Sequence, residues 1–95
     1  MNDKYIKKGE EIGRLVTEKQ IAYGDSFTQS GKVLNILYPD GMNAAQMEDA
    51  LTIIRIVDKL FRIATHYEDK MQESPYQDIA GYAILAAVRA DEKKS

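Results

Sequence analysis

Two segments of the chain are apolar on more than one side of a helix. The first carries Leu51, Ile53, Ile54, Ile56, Val57, Leu60, Phe61 and Ile63, and the second is the run IAGYAILAAV at residues 79–88. A helix that is apolar nearly all round must be covered all round. A chain of 95 residues has only a modest core with which to cover two such helices. The pattern therefore predicts an all-α fold that assembles as a homo-oligomer.

The second apolar segment is also rich in small residues, namely Ala80, Gly81, Ala83, Ala86 and Ala87. Small side chains let a neighbouring helix approach closely, so we expect a subunit interface on this helix. The alternative is a core within one chain, in which a short second helix folds over the other three.

Local signals divide the chain into four predicted helices within a single domain, residues 1–95. Helix 1 extends from about Asp3 to about Tyr23, where Gly24 would end it. Helix 2 begins with Ser26 as its cap and ends at the turn sequence YPDG at residues 38–41.

The later helices have clearer start signals. Asn43 begins a capping-box pattern, and helix 3 runs from it to about His66. Ser74-Pro75 repeats such a start, with proline at the first helical position, and helix 4 runs to about Arg89. The remaining stretches, 67–73 and 91–95, are polar, and we expect a loop and a frayed tail.

Composition excludes several classes of protein. The chain has no cysteine and a single histidine, so it has no disulfide framework and little basis for a zinc or Ser-His-Asp mechanism. A net charge of −2 and dispersed basic residues disfavour DNA or RNA as a partner. Residues 1–5 lack the apolar core of a signal peptide, and no apolar run approaches the ~20 residues of a membrane span. We therefore expect no membrane partner and a cytoplasmic protein, in the host cytoplasm if it is viral.

Helix 3 has one polar row. Steps of four, three, four, three and four residues join Glu48, Thr52, Arg55, Lys59, Arg62 and His66, with Asp58 on the edge of the row. Three fixed positive charges on one face suit phosphate groups. The alternative is a solvated face with pairs along the helix, such as Asp58 with Arg62.

Two further segments place tyrosine, serine and carboxylate groups beside glycine at helix ends. They are YGDSF at residues 23–27 followed by Ser30-Gly31, and ESPYQDIAGY at residues 73–82. Helix N-termini attract anions, hydroxyl groups donate hydrogen bonds, and tyrosine rings stack on bases. Together these groups suit a nucleotide.

Capping offers a structural alternative for both segments. A left-handed glycine and a cap account for residues 24–26, a second cap accounts for Ser74, and the tyrosines of the second segment can be core residues. Capping leaves Gly31 unexplained, because glycine inside a helix costs ~1 kcal/mol relative to alanine. We therefore expect a ligand or another backbone to approach Gly31 closely.

Four blocks in this order carry a family resemblance: YGDSF…SG, LYPDG, RIVDKLFRIAT and ESPYQDIAGYAIL. The chain resembles, over about residues 18–88, the small all-α nucleotide-modification-associated domains of phages and bacteria. These in turn resemble the all-α pyrophosphohydrolases of the MazG type. Some small phage proteins of this kind are similar to anti-CBASS sponges, which sequester the cyclic dinucleotide signals of bacterial immunity.

The chain departs from the catalytic motifs of the pyrophosphohydrolases. That family carries EExxE and ExxD, whose carboxylates hold Mg²⁺ for triphosphate hydrolysis. Here Glu10 and Glu11 are followed by Arg14 where the third acid would fall, and no ExxD occurs. This departure from the family motifs argues for nucleotide binding without hydrolysis, with no metal, no cofactor and no catalytic residue. The alternative is an unorthodox metal site assembled from Asp25, Asp58, Glu73 and Asp78.

The sequence leads to a specific hypothesis: a MazG-like helical bundle, assembled as a homo-oligomer, that binds and sequesters a cyclic dinucleotide. The expected ligand-binding residues are Tyr23, Gly24, Ser26, Phe27, Ser30, Arg55, Asp58, Lys59, Arg62, Ser74, Tyr76 and Asp78. Tyrosines 23 and 76 would stack on bases, the three cations of helix 3 would face phosphates, the serines would hydrogen-bond the ligand, and Asp58 would orient an arginine.

Two other functions remain open. The first is a Mg²⁺-dependent nucleoside triphosphate pyrophosphohydrolase, with Asp58, Glu73 and Asp78 among its metal ligands. The second is a structural or regulatory helical protein that has no small ligand.

Overall fold

The computed structural model of the protein describes residues 2–65 and 74–94, and in these ranges the chain forms four α-helices and no strand. The helices are α1 (Lys4–Tyr23), α2 (Ser26–Leu37), α3 (Ala44–Thr65) and α4 (Pro75–Lys94). The predicted all-α fold of about four helices is confirmed. The predicted loop at 67–73 and the predicted end of helix 3 at His66 lie outside the described residues. None of the described helices has the length and apolar content needed to cross a membrane.

Side-chain caps begin α3 and α4 where the sequence predicts them. The backbone N–H of Asn43 donates to the side chain of Gln46, and the N–H of Gln46 donates to the side chain of Asn43, both at 2.9 Å. The hydroxyl of Ser74 accepts a bond from the N–H of Gln77 at 3.3 Å. Each cap satisfies donors that a helix start leaves unpaired.

The turn between α1 and α2 takes two consecutive residues in the left-handed conformation, Gly24 with φ 57° and Asp25 with φ 61°. The N–H of Gly24 donates to the carbonyl of Gln20, and the side chain of Gln20 donates to the Asp25 carboxylate. The hydroxyl of Thr65, at the end of α3, donates to the Ala22 carbonyl at 2.8 Å. This turn is therefore tied to α3 by a hydrogen bond.

Ser26 does not cap α2, which corrects the prediction. Asp25 occupies the cap position, and Ser26 is the first helical residue. Ser26 is buried, and its carbonyl accepts a hydrogen bond from the buried hydroxyl of Ser30. Because Asp25 is left-handed and its carboxylate binds Gln20, its side chain makes no capping bond to α2.

Helix α4 extends five residues past its predicted end at Arg89, so the expectation of a frayed tail is wrong for residues 91–94. Interactions with α3 explain the extra turn. Lys93 forms an ion pair with Glu48, and Arg89 lies 4.0 Å from the Asp49 carboxylate.

Helix α3 is the centre of the fold, because α1, α2 and α4 all pack on it. The buried apolar core of the described residues is small and consists of Ala22, Ala50 and Val57. Helix α2 packs on α3 but does not cover it, so the alternative of a core closed within one chain leaves many apolar side chains in solvent. On α3 and α4 these exposed residues are Met47, Leu51, Leu60, Tyr76, Ile84, Leu85 and Val88.

We predict that Gly24→Ala lowers the free energy of unfolding by about 1–3 kcal/mol. Alanine is strained at a φ of 57°, and its Cβ would lie 2.9 Å from the Thr65 side chain. Gly31→Ala is the matched control. Gly31 is helical, and nothing in the described chain lies within 4 Å of an added Cβ. This control should gain about 0.5–1 kcal/mol from higher helix propensity. Urea denaturation of both variants measures the difference, and a Gly24→Ala protein as stable as the wild type would contradict the prediction.

Candidate functional site

The polar row of α3 faces α4, where it forms what we call the polar seam. From one end to the other, Glu48 pairs with Lys93, Thr52 with Arg89, Arg55 with Tyr82 and Lys59 with Asp78. The α3 residues are four, three and four positions apart, and their α4 partners run in the opposite direction at steps of four, seven and four. Both sets thus keep to one helix face. Four residues of the row thus contact α4, although Glu48 and Arg55 remain exposed to solvent.

The contacts of the polar seam differ in chemistry along its length. The hydrogen bond from Lys93 lowers the pKa of Glu48 at the exposed end. The Arg89 guanidinium donates to the Thr52 hydroxyl at 3.4 Å. The Arg55 guanidinium lies 5.8 Å from the centre of the Tyr82 ring, which is within the range of a cation–π contact.

Lys59 is the most enclosed cation of the polar seam. Its side chain is 13% exposed, and its ammonium lies 3.2 Å from the Asp78 carboxylate. The same ammonium donates to the Tyr23 hydroxyl at 3.4 Å. Burial by itself lowers the pKa of Lys59, but the bonds to Asp78 and Tyr23 outweigh burial and raise it above its ordinary value. A raised pKa keeps Lys59 charged, so its contribution to stability persists through neutral pH and is lost only in strongly alkaline solution.

Tyr23 joins α1 to the end of the polar seam. Lys59 and Arg62 both lie 5.6 Å from the centre of its ring, and Arg62 also donates to its hydroxyl at 3.5 Å. Arg62 is buried. Tyr23 can occupy this place because the left-handed turn that follows it ends α1 against α3.

A groove of about 960 Å³ opens beside Tyr23, where residues of all four helices meet. Its lining residues are Val16, Thr17, Lys19, Gln20, Ile21, Tyr23, Ser26, Phe27, Arg55, Asp58, Lys59 and Tyr82. The groove thus combines aromatic rings, three cations and one carboxylate. Phe27 is 93% exposed, so its ring is presented almost entirely to solvent.

Half of the predicted ligand-binding residues line the groove: Tyr23, Ser26, Phe27, Arg55, Asp58 and Lys59. Two more, Arg62 and Asp78, contact groove residues through Tyr23 and Lys59. The structure does not bring the other four into the lining, and each has a local reason.

Gly24 forms the left-handed turn, and the Ser30 hydroxyl is bonded to the Ser26 carbonyl. Ser74 caps α4, and Tyr76 is exposed in the first turn of that helix, outside the groove lining. No other backbone of the described chain approaches Gly31, since no atom lies within 4 Å of a Cβ added there, and the expected approach of a ligand stays a prediction.

Apart from Tyr23, sequence reasoning missed the α1 residues of the groove, Lys19 among them, and it missed Tyr82. Lys19 lies one turn before Tyr23, and Tyr82 lies one turn after Asp78, so both share a helix face with predicted residues. This helical spacing is the signal that could have identified Lys19 and Tyr82. It does not show which helices pack together, so it could not predict that the two residues meet at one groove.

Metal ligation requires carboxylates that converge. In residues 2–65 and 74–94, no three His, Asp or Glu side chains are grouped so that they could hold a metal ion. Asp58 lines the groove, Asp78 is paired with Lys59, and Glu73 lies outside the described residues. Glu10 and Glu11 are exposed on α1, outside the groove lining.

Comparison of the chain with family models, curated proteins and solved structures gives no significant match.

We predict an energetic coupling of about 1 kcal/mol between Lys59 and Asp78, because the lysine is well enclosed while solvent partly screens the carboxylate. A double-mutant cycle of Lys59→Ala and Asp78→Ala, measured by urea denaturation at pH 7, gives this value. The exposed pair Lys7 and Asp3, 3.7 Å apart on α1, is the matched control, and its coupling should not exceed about 0.5 kcal/mol. Equal coupling in the two pairs would mean that the Lys59 contact contributes no more than a surface pair.

Proposed function

We propose that the protein binds and sequesters a nucleotide, specifically a cyclic dinucleotide, in the groove beside Tyr23 without hydrolysing it. One observation carries this proposal: Phe27, which is 93% exposed, lines the same groove as Arg55 and Lys59. A solvent-facing aromatic residue and two cations in one groove match the two parts of a nucleotide, a base that stacks and a phosphate that binds cations.

The size of the groove favours a ligand larger than one nucleotide. Small-molecule sites occupy about 300–1,000 Å³, and this groove, at about 960 Å³, is near the upper end of that range. A cyclic dinucleotide has two bases and two phosphates, so it offers a ring for Phe27 and a negative charge for each of the two cations. The family resemblance noted in the sequence favours the same class of ligand.

Contacts within the chain suggest a division of roles among the groove residues. Lys59 and Arg62 already lie against the Tyr23 ring, so base stacking is better assigned to Phe27 than to Tyr23. Arg55 is exposed and rests on the Tyr82 ring, which holds its guanidinium at the groove for a phosphate. Ser26 and Asp58 line the same space and supply a polar edge for hydrogen bonds.

Capture without hydrolysis is favoured over pyrophosphohydrolase activity by the state of the groove carboxylates. A Mg²⁺ site needs several converging oxygen ligands, whereas the Asp78 carboxylate is engaged by the Lys59 ammonium at 3.2 Å. Of Asp58 and Asp78, only Asp58 lines the groove. A structural protein without a small ligand is the third possibility, and it would leave the exposure of Phe27 to be explained by a protein contact.

Assembly into a homo-oligomer is part of the proposal. Helix α4 turns Asp78, Tyr82, Arg89 and Lys93 toward α3, while Ile84, Leu85 and Val88 remain exposed. Covering these apolar side chains with a second copy would remove them from water. In this role the protein works in the cytoplasm, that of the host cell if it is viral.

Two substitutions in the groove should weaken binding of a cyclic dinucleotide. Phe27→Ala should cost about 1–3 kcal/mol by loss of stacking, and Arg55→Ala about 1.5–3 kcal/mol by loss of a charge-assisted bond to phosphate. Calorimetric titration with cyclic di-AMP and cyclic di-GMP measures both losses. Phe27→Tyr should retain most of the affinity, because its ring can still stack.

Matched controls lie outside the groove. Ile36 is an exposed apolar residue of α2 and Lys8 an exposed cation of α1, so Ile36→Ala and Lys8→Ala should bind like the wild type. Thermal melting first verifies that each variant is folded. Wild-type affinity in both folded groove variants would place the ligand elsewhere or remove it.

The bound ligand should survive intact and need no metal. We expect binding in EDTA to equal binding in Mg²⁺, because the groove lacks the converging carboxylates that hold this ion. Denaturing the loaded protein and separating the released material by chromatography should return the unaltered cyclic dinucleotide. ATP with Mg²⁺ is the comparison substrate, and release of pyrophosphate from it would support the pyrophosphohydrolase instead.

A further inference from the structure

Two neighbouring contacts of the polar seam are unequally spaced on the two helices. On α3 the step from Thr52 to Arg55 is three residues, whereas on α4 the step from Tyr82 to Arg89 is seven. At about 1.5 Å per residue, these steps are about 4.5 Å and about 10.5 Å long. Between its two contacts, α4 turns only the small side chain of Ala86 to the same face. A cavity therefore remains between the two helices.

This cavity has a volume of about 230 Å³, and we call it the arginine pocket. Its polar lining residues are Thr52, Arg55, Tyr82 and Arg89, and the rest of its lining is Ala86 and two leucines. No Asp or Glu of residues 2–65 and 74–94 lines it. The groove beside Tyr23 differs in this respect, because a carboxylate is part of its lining. The arginine pocket thus presents two positive charges with no negative charge among its walls.

The two arginines of the pocket retain donors for a ligand. Arg89 donates to the Thr52 hydroxyl at 3.4 Å, and its guanidinium lies 4.0 Å from the carboxylate of Asp49, which is exposed. Within the described part of the chain, no carboxylate lies within 4.0 Å of the Arg55 guanidinium. A guanidinium carries five N–H donors and no acceptor. Seam contacts therefore account for the position of Arg89 but leave most of these donors to water or a ligand.

We propose that the arginine pocket binds a phosphate group, held by the guanidinium groups of Arg55 and Arg89 and by the Thr52 hydroxyl. The planar fork of a guanidinium matches phosphate oxygens and binds them in pairs. The competing carboxylate of Asp49 is exposed and 4.0 Å away, so a phosphate displaces only a weak partner. Whole small-molecule sites occupy about 300–1,000 Å³. A pocket of about 230 Å³ therefore suits one phosphate group and not an entire nucleotide.

The arginine pocket adjoins the groove beside Tyr23, because Arg55 and Tyr82 line both. Two sources can therefore supply the phosphate. One is a nucleotide that extends into the pocket from the groove, and the other is free inorganic phosphate. The inference deepens the proposed function and rests on it for the first source only.

Inorganic phosphate tests the pocket directly, with no nucleotide present. In a ¹⁵N–¹H NMR titration at constant ionic strength, the side-chain Nε–H signals of Arg55 and Arg89 should shift together and reach saturation. Arg14 is exposed on α1, outside the pocket lining, so its signal is the control and should not follow them. A shift at Arg55 without one at Arg89, or equal shifts at all three arginines, would overturn the proposal.

Two substitutions test the pocket without removing either arginine, each after thermal melting has verified the fold. Ala86→Leu should weaken phosphate binding at least about tenfold, because the larger side chain occupies the cavity. Ala87→Leu is the matched control, since Ala87 is exposed and outside the pocket lining. Asp49→Asn should strengthen binding about twofold by removing the competing charge. Wild-type affinity in both Ala86→Leu and Asp49→Asn would contradict a phosphate in this pocket.

Titration with cyclic di-AMP distinguishes the two sources. If the nucleotide supplies the phosphate, Arg89→Ala should weaken both cyclic di-AMP and inorganic phosphate at least about tenfold, whereas Phe27→Ala should weaken cyclic di-AMP alone. An effect of Arg89→Ala on inorganic phosphate alone would retain the pocket with free phosphate as its occupant. Binding of cyclic di-AMP that needs Phe27, without a saturable phosphate site, would support the proposed function and overturn the pocket. A saturable phosphate site in a protein that binds no cyclic dinucleotide would do the reverse.

Discussion

The polar seam determines how α4 lies on α3, and much of the structure depends on it. Individual ion pairs near a protein surface contribute little to stability. A row of four matched contacts has a different effect, because sliding α4 by one turn would set Lys93 and Asp78 against the wrong residues of α3. The polar seam therefore determines the register of α4 along α3 more than it increases the free energy of unfolding. Apolar packing is the usual means of joining two helices, and here polar pairs occupy much of that contact.

The polar seam leaves apolar side chains of α4 exposed. Ile84 and Val88 lie away from the seam and remain in water, and Leu85, which lies on the seam side between Tyr82 and Arg89, is also exposed. The exposed side chains of Tyr5, Ile12, Leu15 and Val16 on α1 add to this apolar surface. A described core of three buried apolar side chains is small for a chain of 95 residues. The exposed apolar surface thus arises from the orientation of the helices, and not from an excess of apolar residues as such.

The capping signals allowed the starts of α3 and α4 to be predicted, because caps at Asn43 and Ser74 depend only on neighbouring residues. Periodicity placed Arg55 and Lys59 on one face of α3. It could not predict which helix covers that face, because helical spacing shows which residues share a face and not what packs against them. For the same reason the end of α4 was misjudged, because Lys93 is held by Glu48, 45 positions away in the sequence. The exposure of Phe27 could not be predicted either, because apolar side chains are ordinarily assigned to a core.

The pairing of Lys59 with Asp78 gives the groove an internal counter-ion. An anion that reaches this ammonium replaces a carboxylate already at 3.2 Å, and not water alone. The Lys59 ammonium would have one close anionic partner both before and after such a replacement. A simple anion such as chloride or inorganic phosphate would therefore gain little binding free energy from it. Under the proposed function, a ligand would recover the difference through other contacts, such as a ring on Phe27 or a second charge on Arg55. The carboxylate that pairs with Lys59 would then make the groove selective for molecules that offer more than negative charge.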